Sequence, residues 1–304
     1  MKFAIFVLII LLVQLLNLIS EENVSIEFNI ENGFYQPSEL KNLNISEENF
    51  APYYSKQDNI LYFSSTIKGL SRYYSVRVDE SFFPNLETTY TPLPVPPPLN
   101  ENNKSRAYLT ETKYNNRTIV YLNVSVNYPS GNYVNIQKCY KETSGSGEKQ
   151  QYFSSPMIDE NFAGEFFTGY PTISPSGKTM VYSSNKESKD HIDLWIALLG
   201  DNGDWIFHRP MHELNSKGNE ITPYLINDSL LIYSSNGFGG RGGYDLFYSY
   251  CINGKWFSPV PIEEVNTEQD ETDPTIIGDT ILIFVRTNYS SRNKGELFWT
   301  RIKP

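Results

Sequence analysis

Gly237-Phe238-Gly239-Gly240-Arg241-Gly242 has the G-x-G-x-x-G spacing with which a glycine-rich turn brings backbone amides against a pyrophosphate. That chemistry needs a helix after the turn, because the helix N-terminal amides hold the phosphates. Here the glycines run into "YDLFYSY", whose composition is that of a strand. The segment therefore reads as a connector between two strands, and no nucleotide is expected.

The remaining chemistry-bearing residues are carboxylates and histidines. Cleavage of a glycosidic bond uses two carboxylates with separated pKa values. Glu165, Glu220 and Asp273 each stand just before a segment of strand character. They recur as part of a repeat, which accounts for them without catalysis, so no catalytic residue is expected. Asp193, Asp245 and Glu296, in "IDLW", "YDLF" and "GELF", read as carboxylates that cap the turn before a strand. Calcium is the alternative there, but one carboxylate per segment lacks the run of oxygen ligands that calcium takes. His208 and His212 are four apart across Pro210 and not on a helix, and His191 stands elsewhere; zinc is not expected. No cofactor or metal is called for.

Bulk composition narrows the partners. The formal net charge of −10 gives no footprint for a phosphate backbone, so nucleic acid is excluded as a partner. Residues 2 to 20, "KFAIFVLIILLVQLLNLIS", carry one positive charge, then an apolar run, then Ser20, and read as a signal peptide. Residues 21 to 304 would then form one exported domain, periplasmic, associated with the cell envelope or secreted. No second apolar run of spanning length follows, so no transmembrane segment is expected after the signal. Two cysteines, Cys139 and Cys251, cannot build a disulfide framework. Glycosylation sequons occur at Asn23, Asn44, Asn103, Asn116, Asn123, Asn227 and Asn288.

The elements that would position these residues come from an internal repeat. "GYPTISPSGKTMVYSSN" from Gly169, "ITPYLINDSLLIYSSN" from Ile221 and "TDPTIIGDTILIFVRTN" from Thr272 align, and "FAPYYSKQDNILYFSS" from Phe50 has the same shape. Pro171, Pro223 and Pro274 are 52 and 51 residues apart; Pro52 lies 119 residues before Pro171. "RAYLTETKYNNRTIVYLN" from Arg106 fills that gap, with Ala107 at the proline position. A second signature precedes each unit: an aromatic strand end, prolines, then Asn, as in "DWIFHRPMHELN", "KWFSPVPIEEVN", "QYFSSPMIDEN" and "YTPLPVPPPLN". It also opens the chain after the leader, as "GFYQPSELKNLN".

Within a unit the period is two, and turn residues bound short aromatic and β-branched runs. Each unit reads as four antiparallel strands, which makes an all-β propeller of five blades. Residues 84 to 168 are long enough to carry a sixth. The last unit ends at its third strand, so the N-terminal segment supplies its outer strand and closes the ring.

"SPSGKTMVYSSN", "GGYDLFYSY" and "HIDLWIA" resemble the WD40-like (PD40, TolB-type) β-propeller repeat. That resemblance implies a non-catalytic interaction module that binds a protein or peptide partner, with a cell-envelope complex as one setting; a carbohydrate-active propeller, lectin-like or a five-bladed glycosidase, is the alternative. Loops on one face would carry the binding residues: Asn185, Asn236, Phe238, Arg241, Arg286 and Tyr289.

Overall fold

The computed structural model describes residues 29–45, 48–78, 90–101, 104–144, 150–288 and 294–304. The leader-like residues 2 to 20 lie outside the described residues. Strands are numbered in chain order, beginning with β1 (Ser38–Glu39). Blade 1 is β2 (Glu48–Ser55), β3 (Ile60–Ile67), β4 (Leu70–Arg77) and β5 (Leu93–Pro94). Blade 2 is β6 (Arg106–Tyr114), β7 (Arg117–Tyr128) and β8 (Gly131–Ser144), with its outer strand split into β9 (Gln150–Phe153) and β10 (Met157–Ile158). Blade 3 is β11 (Thr168–Ile173), β12 (Thr179–Ser184), β13 (Asp193–Leu199) and β14 (Trp205–Pro210).

Blade 4 is β15 (Glu220–Asn227), β16 (Leu230–Ser235) and β17 (Asp245–Ile252), again with a split outer strand, β18 (Lys255–Trp256) and β19 (Val260–Pro261). Blade 5 is β20 (Asp270–Ile277), β21 (Ile281–Asn288) and β22 (Lys294–Arg301), and its outer strand is β1. Five blades account for the long stretch from 84 to 168: β7 and β8 are extended, and no sixth blade is present among the described residues.

The core is divided into five wedges, one between each pair of neighbouring blades. The second strand of each blade is apolar on both faces, since each face meets a neighbour. Alternation survives as a choice of wedge. Leu61 and Phe63 fill the wedge toward blade 5 while Tyr62 fills the one toward blade 2. Likewise Leu231 and Tyr233 face blade 3, and Leu230 and Ile232 face blade 5.

The asparagines that recur after the proline-rich stretches have one structural task. Asn215 accepts from Leu194 N at 2.8 Å and donates to Leu194 O at 3.1 Å, tying the outer connection to the third strand of its blade. Asn266 grips Leu246 and Asn100 grips Tyr73 in the same two-point way. Asn44 does so across the ring closure, accepting from Leu297 N at 2.7 Å, with Leu40 N bonded to Leu297 O at 2.8 Å. Blade 2 departs from the pattern: Asn161 bonds Asp159, and Asp159 N reaches Ile136 O instead. Phe34, Leu40 and Leu43 are buried beside this closure.

Candidate functional site

Around the axis stand the innermost strands β2, β6, β11, β15 and β20, each the open edge of its sheet. Every one has a register shift at the same place: after Phe50, Ala107, Gly169, Ile221 and Thr272. The residue that follows the shift takes a left-handed backbone: Ala51 (φ 52°), Tyr108 (φ 57°), Tyr170 (φ 55°), Thr222 (φ 48°) and Asp273 (φ 55°). Non-glycine residues avoid this region, and a bulge of this kind re-aims a side chain. Five such residues therefore form a ring. In four of them the next residue is a proline, tolerated because an edge strand needs no further N–H for the ladder. In blade 2 Leu109 follows the bulge, so the position expected for Ala107 belongs to Leu109.

One member of this ring carries a carboxyl group, Asp273. It is buried, and its Oδ2 accepts from Ala51 N at 2.8 Å. The Tyr108 hydroxyl lies 3.4 Å from both of its carboxyl oxygens. Its own N–H donates to Thr222 Oγ1 at 3.1 Å. One carboxyl thus touches blades 1 and 2 from blade 5. Burial raises its pKa to about 7; the Ala51 amide and the Tyr108 hydroxyl pull the other way, while the charge of Glu48 adds to the rise.

Above Asp273, at the end of the channel where the inner strands begin, is an open basin of about 180 Å³. Four half-buried aromatic rings line it in sequence. Phe50 and Tyr108 have centroids 5.8 Å apart, Tyr108 and Tyr170 4.4 Å in an edge-to-face contact, and Tyr170 and Phe167 5.1 Å. Ser71, Ser105, Asn123 and Ser125 supply polar groups at the same basin. The neck beneath it, which includes Asp273, Tyr108 and Tyr170, is about 40 Å³, room for a few waters at most.

The residues expected to do chemistry separate here. Glu220 is fully buried and accepts from Ser216 N and Oγ and from Ser235 Oγ, which fixes the connection into β15. Glu165 is exposed and accepts from Ser130 Oγ of the β7–β8 hairpin at 2.7 Å. Only Asp273 of the three faces the axis with its carboxyl poised near neutrality. Asp245 Oδ2 accepts from Gly242 N at 3.2 Å, Asp193 lies 3.5 Å from His191, and Glu296 pairs with Lys294 at 3.3 Å. Among the described residues no group of three His, Cys, Asp or Glu could hold a metal ion. Both cysteines are free.

The residues expected to bind a partner are largely spent on the fold. Asn185 Oδ1 accepts from Phe167 N at 2.8 Å and Asn236 Oδ1 from Asn219 N at 2.7 Å, so each latches the end of the second strand to the segment that opens its blade. Arg286 is held by Glu271 at 2.7 Å and Val265 O at 2.8 Å, over the Phe298 ring. Phe238 leans on Phe247, and Arg241 is exposed in an ion pair with Glu263 at 3.1 Å. Tyr289 lies outside the described residues. The glycine-rich connector is set by close packing: a Cβ on Gly242 would fall 1.8 Å from Gln269 O.

No family model matches the chain, and no curated protein matches it. Solved structures do. The catalytic domain of a GH62 α-L-arabinofuranosidase from Coprinopsis cinerea matches with a TM-score of 0.56 at 12% identity, over 89% of this chain and 97% of that one. The native arabinanase Arb43A of Bacillus subtilis matches with a TM-score of 0.54 at 11% identity, over 88% and 97%. An endo-arabinase from Bacteroides thetaiotaomicron gives 0.54 at 14%, over 89% and 98%. At such identities the likeness is one of fold.

These neighbours correct the expectation of a WD40-like, TolB-type module. The propellers that resemble this chain are named as glycoside hydrolases, which overturns the non-catalytic reading and leaves a protein or peptide partner without support. The physical reason for the misreading is visible. The repeated "YSSN" and "DLW" features latch and pack a four-stranded blade, so they report blade construction and not a function. Phe50, Tyr108, Phe167 and Tyr170 went unrecognised; the sequence signal for Tyr170 was its place before a repeated proline, the position that the bulge turns toward the axis.

Proposed function

We propose that this protein is a carbohydrate-active enzyme that cleaves a glycosidic bond at the aromatic mouth of its axial channel. The observation that carries this reading is Asp273, a carboxyl kept near half-protonation on the axis, under an aromatic basin. A general acid works best with a pKa near the working pH. Asp273 is such a group, raised chiefly by burial, as a proton donor in an apolar pocket is. Tyr108, which lines both neck and basin, carries its proton to the leaving oxygen of a sugar stacked on the rings. Glu48, an exposed carboxylate at the start of β2 that accepts from Thr66 Oγ1 at 3.1 Å and whose charge acts on both Asp273 and Tyr108, is the candidate for the second carboxylate that glycoside cleavage requires. The fold likeness to arabinanases and arabinofuranosidases makes arabinose-containing glycans the first substrates to try. The leader-like residues 2 to 20 agree with an exported enzyme meeting such glycans outside the cell.

The test is a hydrolysis screen with aryl glycosides and plant polysaccharides, arabinan included, on wild type, Asp273→Asn and Glu48→Gln. Turnover abolished by both substitutions supports the assignment. Glycan binding with no turnover in wild type would make the basin a lectin site, and turnover untouched by Asp273→Asn would remove the proposed acid.

A further inference from the structure

A larger cavity than the basin lies at the other end of the channel. It encloses about 350 Å³, within the range of roughly 300–1,000 Å³ typical of small-molecule sites, whereas the aromatic basin and the neck fall below it. Tyr53, Tyr54 and Tyr224 line it, with aliphatic side chains between them. Such a wall offers apolar ring surface to the C–H side of a sugar, while the hydroxyls are engaged within the protein, Tyr54 donating to Asn59 Oδ1 at 2.9 Å, Tyr224 to Ile276 O at 3.5 Å and Tyr53 accepting from Glu111 N at 3.3 Å.

Its charges are arranged unequally. The carboxylates of Glu111, which itself lines the cavity, and Asp58 share one ammonium, Lys141, with Ser55 Oγ also on Glu111, so this half-buried group keeps one net negative charge. Lys56 and Lys113, both exposed, stand at the lining of the same cavity from the neighbouring blades 1 and 2, and neither is in an ion pair among the described residues. Asp279, in the β20–β21 hairpin of blade 5, is the acid at this mouth without an ion pair among the described residues. Two free ammonium groups in a chain of net charge −10 mark one side of the cavity for an anion.

We infer that this cavity is a second carbohydrate site, specific for an acidic disaccharide: its carboxylate meets Lys56 and Lys113, its rings lie on the tyrosines, and a hydroxyl donates to Asp279. Nothing in this inference depends on turnover at the aromatic mouth.

Titration calorimetry of the full chain with digalacturonate at low salt tests it, with cellobiose as the neutral control. The expected result is binding in wild type and in Asp273→Asn, weakened about tenfold or more in the double variant Lys56→Gln/Lys113→Gln, in keeping with lost charge-assisted contacts. Both lysines are exposed, so this variant keeps the fold, which its unfolding temperature checks. Cellobiose is expected to bind at least about tenfold more weakly. Absence of digalacturonate binding, equal binding of cellobiose, or loss of binding in Asp273→Asn but not in the lysine variant would overturn the proposal.

Discussion

Glu271 and Asp273 stand two residues apart on β20 and are both buried carboxylates with raised pKa, yet their surroundings assign them opposite roles. Glu271 points into its blade and is saturated: Thr267 N at 2.9 Å, Thr267 Oγ1 at 2.6 Å and Arg286 Nε at 2.7 Å. Asp273, across the bulge, points to the axis and has one short donor, Ala51 N. A saturated buried carboxylate holds structure together; one left short of donors costs stability and is kept for what its proton does. Glu220 repeats the first condition in blade 4, at the same distance before its own bulge.

The strongest way to break this contrast is catalytic. Asp273→Asn keeps the shape and removes the proton donor, and turnover is expected to fall about 10²–10⁴-fold, measured as kcat on the best substrate from the screen. The same loss in Glu271→Gln, with unchanged stability, would erase the division between the two.

Next in size is a pH effect on stability. The folded pKa of Asp273, about 7, exceeds its ordinary value of 3.8, so the folded state holds the proton more tightly than the unfolded chain. Its cost is absent below pH 4, grows as pH rises between 4 and 7, and is complete above 7, reaching at most ~4 kcal/mol. Asp273→Asn should therefore match wild type in denaturant unfolding at pH 4 and exceed it at pH 8. A variant less stable than wild type at pH 8 would make Asp273 a structural group like Glu271.

Glu271→Gln should go the other way, losing about 1–3 kcal/mol at pH 8, because it weakens a buried network and leaves Arg286 short of its partner. The smallest contrast is between asparagines. Asn266→Ala breaks a two-point grip on Leu246 and should cost about 1–3 kcal/mol, whereas Asn161→Ala, in the blade lacking that grip, should cost clearly less in the same assay.

Much of the fold was legible because a repeat displays its own rules. The prolines marked the inner strands, "YSSN" marked the second strands, and the asparagine of "GFYQPSELKNLN" foretold the closure that Asn44 makes with Leu297. The blade 2 register was less readable, since Leu109 replaces the proline and only the bulge shows which residue is equivalent. The site was less legible still. Glu220 and Asp273 both read as acids just ahead of an inner strand, yet Glu220 stands three residues before its proline, where blade 5 has Glu271, and Asp273 stands directly before its own. One residue of extra chain in the bulge decides that Glu220 turns into the blade and Asp273 onto the axis. Recurring Asn and Arg residues looked available to a partner, and their hydrogen bonds to the neighbouring backbone were invisible without coordinates.

The closure of blade 5 by β1 has a consequence for how the molecule is made. β1, the first strand among the described residues, is made long before it can be placed, because its partner, β22, lies some 250 residues later in the chain. Until then Phe34, Leu40 and Leu43 have no wedge to enter, and two sheet edges stay open to chance pairing. A ring of this kind has no useful partial version: a chain stopped anywhere before β22 carries an unmated beginning.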